Sequence, residues 1–314
     1  MRLILTGSIA IDRILNFSGK YADVIAPDKL HVLSLSVLVD NLVDTRGGIA
    51  ANIAYGLALL GEKPVLLGSV GHDAKGYMND LAALGIDTSH VHFSKKPTAS
   101  FTVMTDTADC QVGGFYSGAM SDSSSLTLDA FDPARDFIVI SPHDPKAMAL
   151  QVKQATDRGF HYFYDVGQQV SNVPDEDVVN GIAKASLLIV NDYEMGVIEK
   201  KTKLTQAQIV KNVPVVVITL GEKGSLIFDH GKKHEVSAVP VKKVVDPTGA
   251  GDAFRSGFLF GYVRDWPIVQ CAKLGSIVAT FAIAQHGTQE HHFSKADIEK
   301  IAKKQYKLVL GSRF

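Results

Sequence analysis

Cysteine is nearly absent: Cys110 and Cys271 stand far apart, and neither belongs to a C-x-x-C pair. A disulfide framework and a zinc knuckle are thereby excluded, and a reducing, cytoplasmic setting is expected. Excess charge of either sign is missing too. Against 32 basic residues stand 33 acidic ones, a formal net charge of -1, so no polyanion and no nucleic acid is expected as partner. No apolar run reaches membrane-spanning length, and the opening Met1–Gly7 is too short in apolar length to read as a signal peptide. The eleven histidines form no H-E-x-x-H pattern, and no G-x-x-x-x-G-K-[ST] loop occurs. A dinucleotide-binding turn would need glycine where Phe254 stands. Internal repeats, low-complexity tracts and long linkers are also lacking.

What remains is an ordinary globular composition, 46% hydrophobic and 21% charged over 314 residues, long enough to bury a large core. Within it one stretch stands out: Val245-Asp246-Pro247-Thr248-Gly249-Ala250-Gly251-Asp252-Ala253-Phe254-Arg255. Glycines flank an alanine, an aspartate follows, and Phe254, Phe258, Leu259 and Tyr262 then recur at helical spacing. The pattern predicts a loop entering a helix. Glycine lets successive amides converge, and the unpartnered N–H groups of a first helical turn favour an anion, so a phosphate fits there. Asp252 is placed to take a proton from a hydroxyl lying beside that phosphate. The same residues also suit a plain helix cap.

Along the chain, apolar segments near 3–6, 64–70, 137–140, 161–164, 187–190 and 215–219 alternate with helical patterns. This predicts a parallel sheet covered on both faces, with ligands bound beyond the carboxyl ends of its strands. Thr6-Gly7, Asp165, Asn191 and Thr219 fall at such ends. Asp73 is expected to cap a helix reaching Leu84, and residues 31–42 to supply further strands. Short β-prone pieces in the first third do not fit the alternation. They read as a small β lid built from about 12–45 and 96–118 inside one domain spanning 1–314, its strand edges offering a route to a homodimer.

Three further constellations matter. Asn191-Asp192-Tyr193-Glu194 sets an amide and a carboxylate three apart at a helix start; such oxygens suit Mg²⁺, although Asn followed by Glu at that spacing is also a capping box. Thr219-Leu220-Gly221-Glu222-Lys223-Gly224-Ser225 is a glycine-punctuated turn after a strand, readable as nucleotide contact or as a hairpin. Asp12, with Gly47, Gly48 and Asn52, offers polar groups and bare backbone to sugar hydroxyls.

With these residues in view the chain resembles the ribokinase-like (PfkB) carbohydrate and nucleoside kinases. The likeness rests on Gly47-Gly48 with Asn52, on Asn191-x-x-Glu194, and on Asp246-Pro-Thr-Gly-Ala-Gly-Asp252, in that order along nearly the whole chain. Gly251-Asp252-Ala253-Phe254-Arg255 and the stretch Ala284–Gln289 look most like bacterial adenosine kinases. The resemblance implies a three-layer α/β/α fold with a mostly parallel sheet and a β-sheet lid. It implies Asp252 as catalytic base, Gly249, Ala250 and Gly251 as an anion hole, and Asn191 with Glu194 as the magnesium motif. Thr219, Gly221 and Gly224 match the nucleotide turn, and Ser276 falls where many sugar kinases carry an adenine-side asparagine. Asp12, Gly47, Gly48 and Asn52 match the sugar-hydroxyl binders. ATP and Mg²⁺ are the implied cofactors; several members also need K⁺, held by backbone near Asp246 and Gly287. Phe101 and Phe115 lie on the lid strands, where aromatic faces would stack on a purine or pack the lid's own sheet. Adenosine is therefore the expected acceptor, with a sugar of ribose or fructose type as the alternative and a non-catalytic nucleoside sensor as the second.

Overall fold

A computed structural model describes residues 1–310, so the last four residues of the expected 1–314 domain lie outside the described part. Its strands are β1 Arg2–Thr6, β2 Ala10–Asn16, β3 Asn41–Gly47, β4 Val65–Gly71, β5 Val91–Ser94, β6 Ala99–Thr105 and β7 Gln111–Tyr116. They continue with β8 Asp136–Ile140, β9 His161–Tyr164, β10 Leu187–Asn191, β11 Val215–Thr219, β12 Ser225–Asp229 and β13 Lys232–Val236. The helices are α1 Tyr21–Val24, α2 Ile49–Leu59, α3 Lys75–Ala83, α4 Pro145–Arg158 and α5 Asp175–Ala183. After them come α6 Asp192–Thr202, α7 Gln206–Asn212, α8 Ala250–Tyr262, α9 Ile268–Ala282 and α10 Lys295–Tyr306.

Nine strands form one sheet in the order β13-β12-β11-β10-β9-β8-β1-β4-β5, parallel from β11 to β5 and antiparallel only at the β11–β12–β13 edge. The period of two along each strand divides the core between the two faces. Leu3, Leu5, Val139, Phe163, Ile189 and Val217 pack on one side under α2, α3, α8, α9 and α10. Ile4, Ile138, Tyr162, Leu188 and Val216 pack on the other under α4, α5, α6 and α7. Both faces are dry, which is why these strands read as unbroken apolar runs. This is the ribokinase-like α/β architecture, and a separate smaller sheet of order β3-β2-β6-β7 accompanies it.

Two local expectations are corrected. Residues 33–40 carry no strand: Pro27–Val32 turns as a 3₁₀ helix and pairing begins only at Asn41. Asp73 caps nothing. It sits inside a short 3₁₀ turn, and its carboxylate accepts from the Thr98 amide (3.0 Å) and hydroxyl (2.7 Å), tying the start of α3 to the second sheet.

Helices α8 and α9 cross at two glycines. A β-carbon on Gly257 would lie 2.8 Å from Gly275 Cα and 2.9 Å from its nitrogen, so the backbones touch with nothing between. Placing alanine at 257 gains roughly 0.5–1 kcal/mol of helix propensity. Overpacking against rigid backbone costs about 1–3 kcal/mol, so the clash wins. Gly257→Ala should lower the urea midpoint at unchanged m-value. An unchanged or raised midpoint would show that the two helices separate freely.

Candidate active site

Parallel strands deliver their carboxyl ends to one edge of the large sheet, and the second sheet stands over that edge. Between them opens a cleft of about 700 Å³, lined by Asp12, Gly48, Asn52, Phe101, Phe115, Asn191, Glu194, Gly249, Gly251, Asp252 and Arg255, among others. Residues from stretches scattered along the sequence, from Ser8 to Thr288, meet there.

The floor is the start of α8. Gly249 is the N-cap in left-handed conformation (φ 78°), which places the next amides at the helix entrance, and a β-carbon there would press on Thr288 at 3.0 Å. No side chain caps this end. Asp252 is the third residue of α8, so the plain-cap alternative fails: its carboxylate is turned away from its own backbone and accepts from Asn52 Nδ2 at 2.9 Å. The amides of Gly249, Gly251 and Asp252 meet no acceptor among the described residues, whereas that of Ala250 makes a long bond to Pro247 O, 3.3 Å. These free donors sit at the positive end of a helix of 13 residues.

Asn52 is held from behind. Its Oδ1 accepts from Thr288 Oγ1 and Gln289 Nε2, both 2.8 Å, and Gln289 Nε2 also reaches the buried Tyr77 hydroxyl. That hydroxyl donates to Gly47 O at 3.0 Å. Asn52 is thus committed to the base end of the cleft, with one N–H of its amide left for a ligand. Gly48 passes so close to β1–β2 that a β-carbon would fall 2.6 Å from Ala10 N, and φ is 95°; the glycine pair lets this backbone hug the cleft wall. Asp246 ties two loops together, accepting from Thr248 N at 2.9 Å and Gly287 N at 3.1 Å.

Charge is concentrated on one side. Burial raises the pKa of Asp252, opposed by Arg255 and by the Asn52 hydrogen bond. Burial likewise lifts Asp12 to about 6, helped by the negative charges of Asp252 and Asp246. Asp165, at the end of β9, is wholly buried and pushed up by burial, while the Arg255 guanidinium pulls the other way.

Asn191 and Glu194 form a full capping box: Asn191 Oδ1 accepts from Glu194 N at 2.7 Å and Glu194 Oε2 from Asn191 N at 2.8 Å. The cap and the cleft lining coexist, because Glu194 Oε1 has no protein donor among the described residues. No group of three His, Cys, Asp or Glu side chains suited to enclosing a metal occurs among the described residues. The fit is to a cation that keeps its waters and phosphate ligands and borrows one carboxylate, which describes Mg²⁺. Thr219 pairs in register with Asn191, and Gly221–Gly224 then turns into the antiparallel β12, so the hairpin alternative is what the backbone does. Thr219, Gly221 and Gly224 do not line the main cleft. Ser276 lies buried in α9, also outside that lining.

In the second sheet Thr45, Asp12, Phe101 and Phe115 stand directly opposite one another across β3, β2, β6 and β7. Cross-strand partners share a face, so Asp12 and both rings project from one row into the cleft. The rings remain 39% and 51% exposed; that of Phe101 also lies over Gly113 of β7, 3.1 Å from where a β-carbon there would be, so it packs on its own sheet and still faces the cleft. Met120, Gln168, Gln169 and Asn172 also line the cleft, and Asp165 lies behind Arg255. No motif marked the amides; only the strand-end position of Asp165 was visible.

An amide-rich helix start facing a buried carboxylate, beneath a sheet that presents an acid and two rings, belongs to enzymes that move a phosphoryl group onto an alcohol. The chain belongs to the pfkB family of carbohydrate kinases, whose model matches residues 13–295. It is similar to a nucleoside kinase of Methanocaldococcus jannaschii, 29% identical over 294 residues that cover 92% of each chain. It also matches the solved nucleoside kinase of Burkholderia thailandensis in complex with inosine, with a TM-score of 0.87 at 28% identity, covering 98% of this chain and 99% of that one. The adenosine kinase of Sinorhizobium meliloti, at 22% identity and a TM-score of 0.72, shares the fold. Among the described residues no helix is long and apolar enough to cross a membrane.

Carbon-13 NMR of the Asp12 carboxyl should titrate near pH 6. Asp252→Asn removes a neighbouring negative charge and should move that midpoint towards the usual carboxylate range. A midpoint unmoved by the substitution would show that the two carboxylates do not sense each other.

Proposed function

We propose that the protein transfers the γ-phosphoryl group of ATP to the 5′-hydroxyl of a nucleoside, with a purine nucleoside such as adenosine as the preferred acceptor. The observation that carries this is the row Asp12–Phe101–Phe115 on the cleft side of the second sheet. A carboxylate suited to ribose hydroxyls stands beside two half-open rings suited to a flat base, in the order in which a nucleoside presents those parts. A free sugar would use the first and leave the rings wet. The nucleoside kinases to which the chain is similar over most of its length support the same choice.

Asp252 acts as the base in this reading. Its raised pKa gives it more proton affinity than an exposed aspartate has, and Asn52 keeps it oriented. The free amides at the start of α8 receive the equatorial phosphoryl oxygens, stabilising charge that grows in the transition state. Asn191 and Glu194 would hold Mg²⁺ through its waters, and the ion would neutralise charge on the nucleotide phosphates. The loops joined by Asp246 and Gly287 are the backbone to which potassium would bind. The turn Thr219–Gly224, beside Asn191, takes the nucleotide on the side away from the row of rings. Closure of the second sheet over the cleft would exclude water and suppress idle ATP hydrolysis.

An ADP-release assay across purine and pyrimidine nucleosides, ribose and fructose, with and without Mg²⁺, tests the assignment. Purine nucleosides should give the highest kcat/KM. Activity on sugars alone would remove the nucleoside reading, and no acceptor-dependent ADP at all would leave a binding protein. Asp252→Asn should lower kcat by roughly 10²–10⁴ while ATP binding survives. Near-normal turnover in that variant would displace Asp252 as base. Strands β3 and β7 leave open edges, and Leu42, Val43 and Val112 are exposed there, so two chains should pair through this sheet. Sedimentation equilibrium should return the mass of two chains; a single-chain mass at micromolar concentration would refute the pairing.

A further inference from the structure

A triphosphate is strongly anionic, and the main cleft is acidic: Asp12, Glu194 and Asp252 all line it. Among the described residues, Arg255 is the one basic side chain in that lining. It stands one helical turn beyond Asp252 on α8 and is only 11% exposed. Its guanidinium is divided between two tasks. Nη2 donates to Asp165 Oδ1 at 3.0 Å, while Nε lies 2.8 Å from Asp165 Oδ2 as an ion pair without a hydrogen bond, so the fully buried carboxylate faces that edge of the fork. The remaining Nη1 makes no hydrogen bond among the described residues. It lies 3.8 Å from Asp252 Oδ1 and 2.7 Å from the point where a β-carbon on Gly251 would be, beside the first turn of α8.

A buried guanidinium with one nitrogen unspent and aimed at an anion site is a ligand in waiting. We propose that Arg255 Nη1 binds an oxygen of the γ-phosphoryl group during transfer, as a catalytic residue supplied by the same helix as the base, with Asp165 as its positioning residue. This rests on the nucleoside kinase reading above. In the step, the acceptor O–H proton passes to Asp252, the O–P bond to the acceptor forms, and the P–O bond to the β-phosphate breaks. That bond's electron pair stays on the oxygen of ADP. Arg255 gains nothing covalent; its charge offsets the negative charge on the equatorial oxygens while they pass the amides.

The bland alternative is that Arg255 serves only as counter-ion to the buried Asp165. The two differ in a double variant. Removing one member of a buried pair strands the other, but replacing both with apolar groups relieves the strain. Arg255→Met alone should lower the melting temperature, and Asp165→Leu together with Arg255→Met should restore it. On the proposal the restored protein still has kcat reduced by about 10²–10³, with the nucleoside Kd by calorimetry within roughly threefold of the parent. Arg255→Ala should regain part of its turnover on addition of guanidinium ion at millimolar concentration, and Arg255→Lys should stay well below the parent. A stable double variant within threefold of parental kcat would make the arginine a counter-ion and nothing more. Loss confined to nucleoside affinity would likewise overturn the proposal. Parental protein that releases no ADP with any nucleoside fails on the substrate instead, which separates that failure from a failure of Arg255 alone.

Discussion

The bond on which the site depends is the one from Asn52 Nδ2 to Asp252 Oδ2, joining residues 200 apart in sequence. An ionised carboxylate this deep is costly unless donors surround it. Asn52 supplies one donor and is itself fixed by Thr288 and Gln289, with Tyr77 behind them reaching back to Gly47. The chain of contacts joins the glycine pair at the start of α2, the loop after α9 and the first turn of α8. A shift in any one of the three would turn the carboxylate away from the cleft.

Around that bond the electrostatics are deliberately unbalanced. Asp12, Asp165, Asp252 and Glu194 lie near one another, and burial raises the first three. Arg255 offsets part of the field, and the free amides of α8 add partial positive charge without any side chain. Such a site holds protons more tightly than exposed aspartates do, which suits a base for an alcohol. On the proposed reading the labour divides into fixed dipoles for the migrating group, one carboxylate for the proton and one acidic row for the acceptor.

How much of this was legible in the sequence differs by element. The central strands of the large sheet were readable because both faces are buried, leaving apolar runs bounded by glycine and polar residues; the half-exposed β5, which read as one of the stray β-prone pieces, joins that sheet at its edge. The motif at 246–252 was readable because a tight loop before a helix tolerates few residues but glycine. Asp73 misled because an aspartate before a helix looks the same whether it caps or reaches across to Thr98. Residues 33–40 misled because their alternation is that of exposed leucines and half-buried valines, which no partner strand takes up. Asn191 and Glu194 presented two readings that spacing cannot separate; the structure makes the capping box and leaves one carboxylate oxygen over at the cleft, where the metal reading stays a proposal.

By itself the sequence determined which central segments are strands of the large sheet, where most helices start, and that a glycine-rich loop enters a helix near residue 250. Local rules govern these: side-chain period, glycine's freedom, and unpartnered amides at a helix end. Only the tertiary structure decided that Asn52 serves Asp252, that Arg255 keeps one nitrogen free by leaning on Asp165, and that Asp12, Phe101 and Phe115 form a single row. Those relations arise from register and packing between distant segments, and no window of sequence contains both partners.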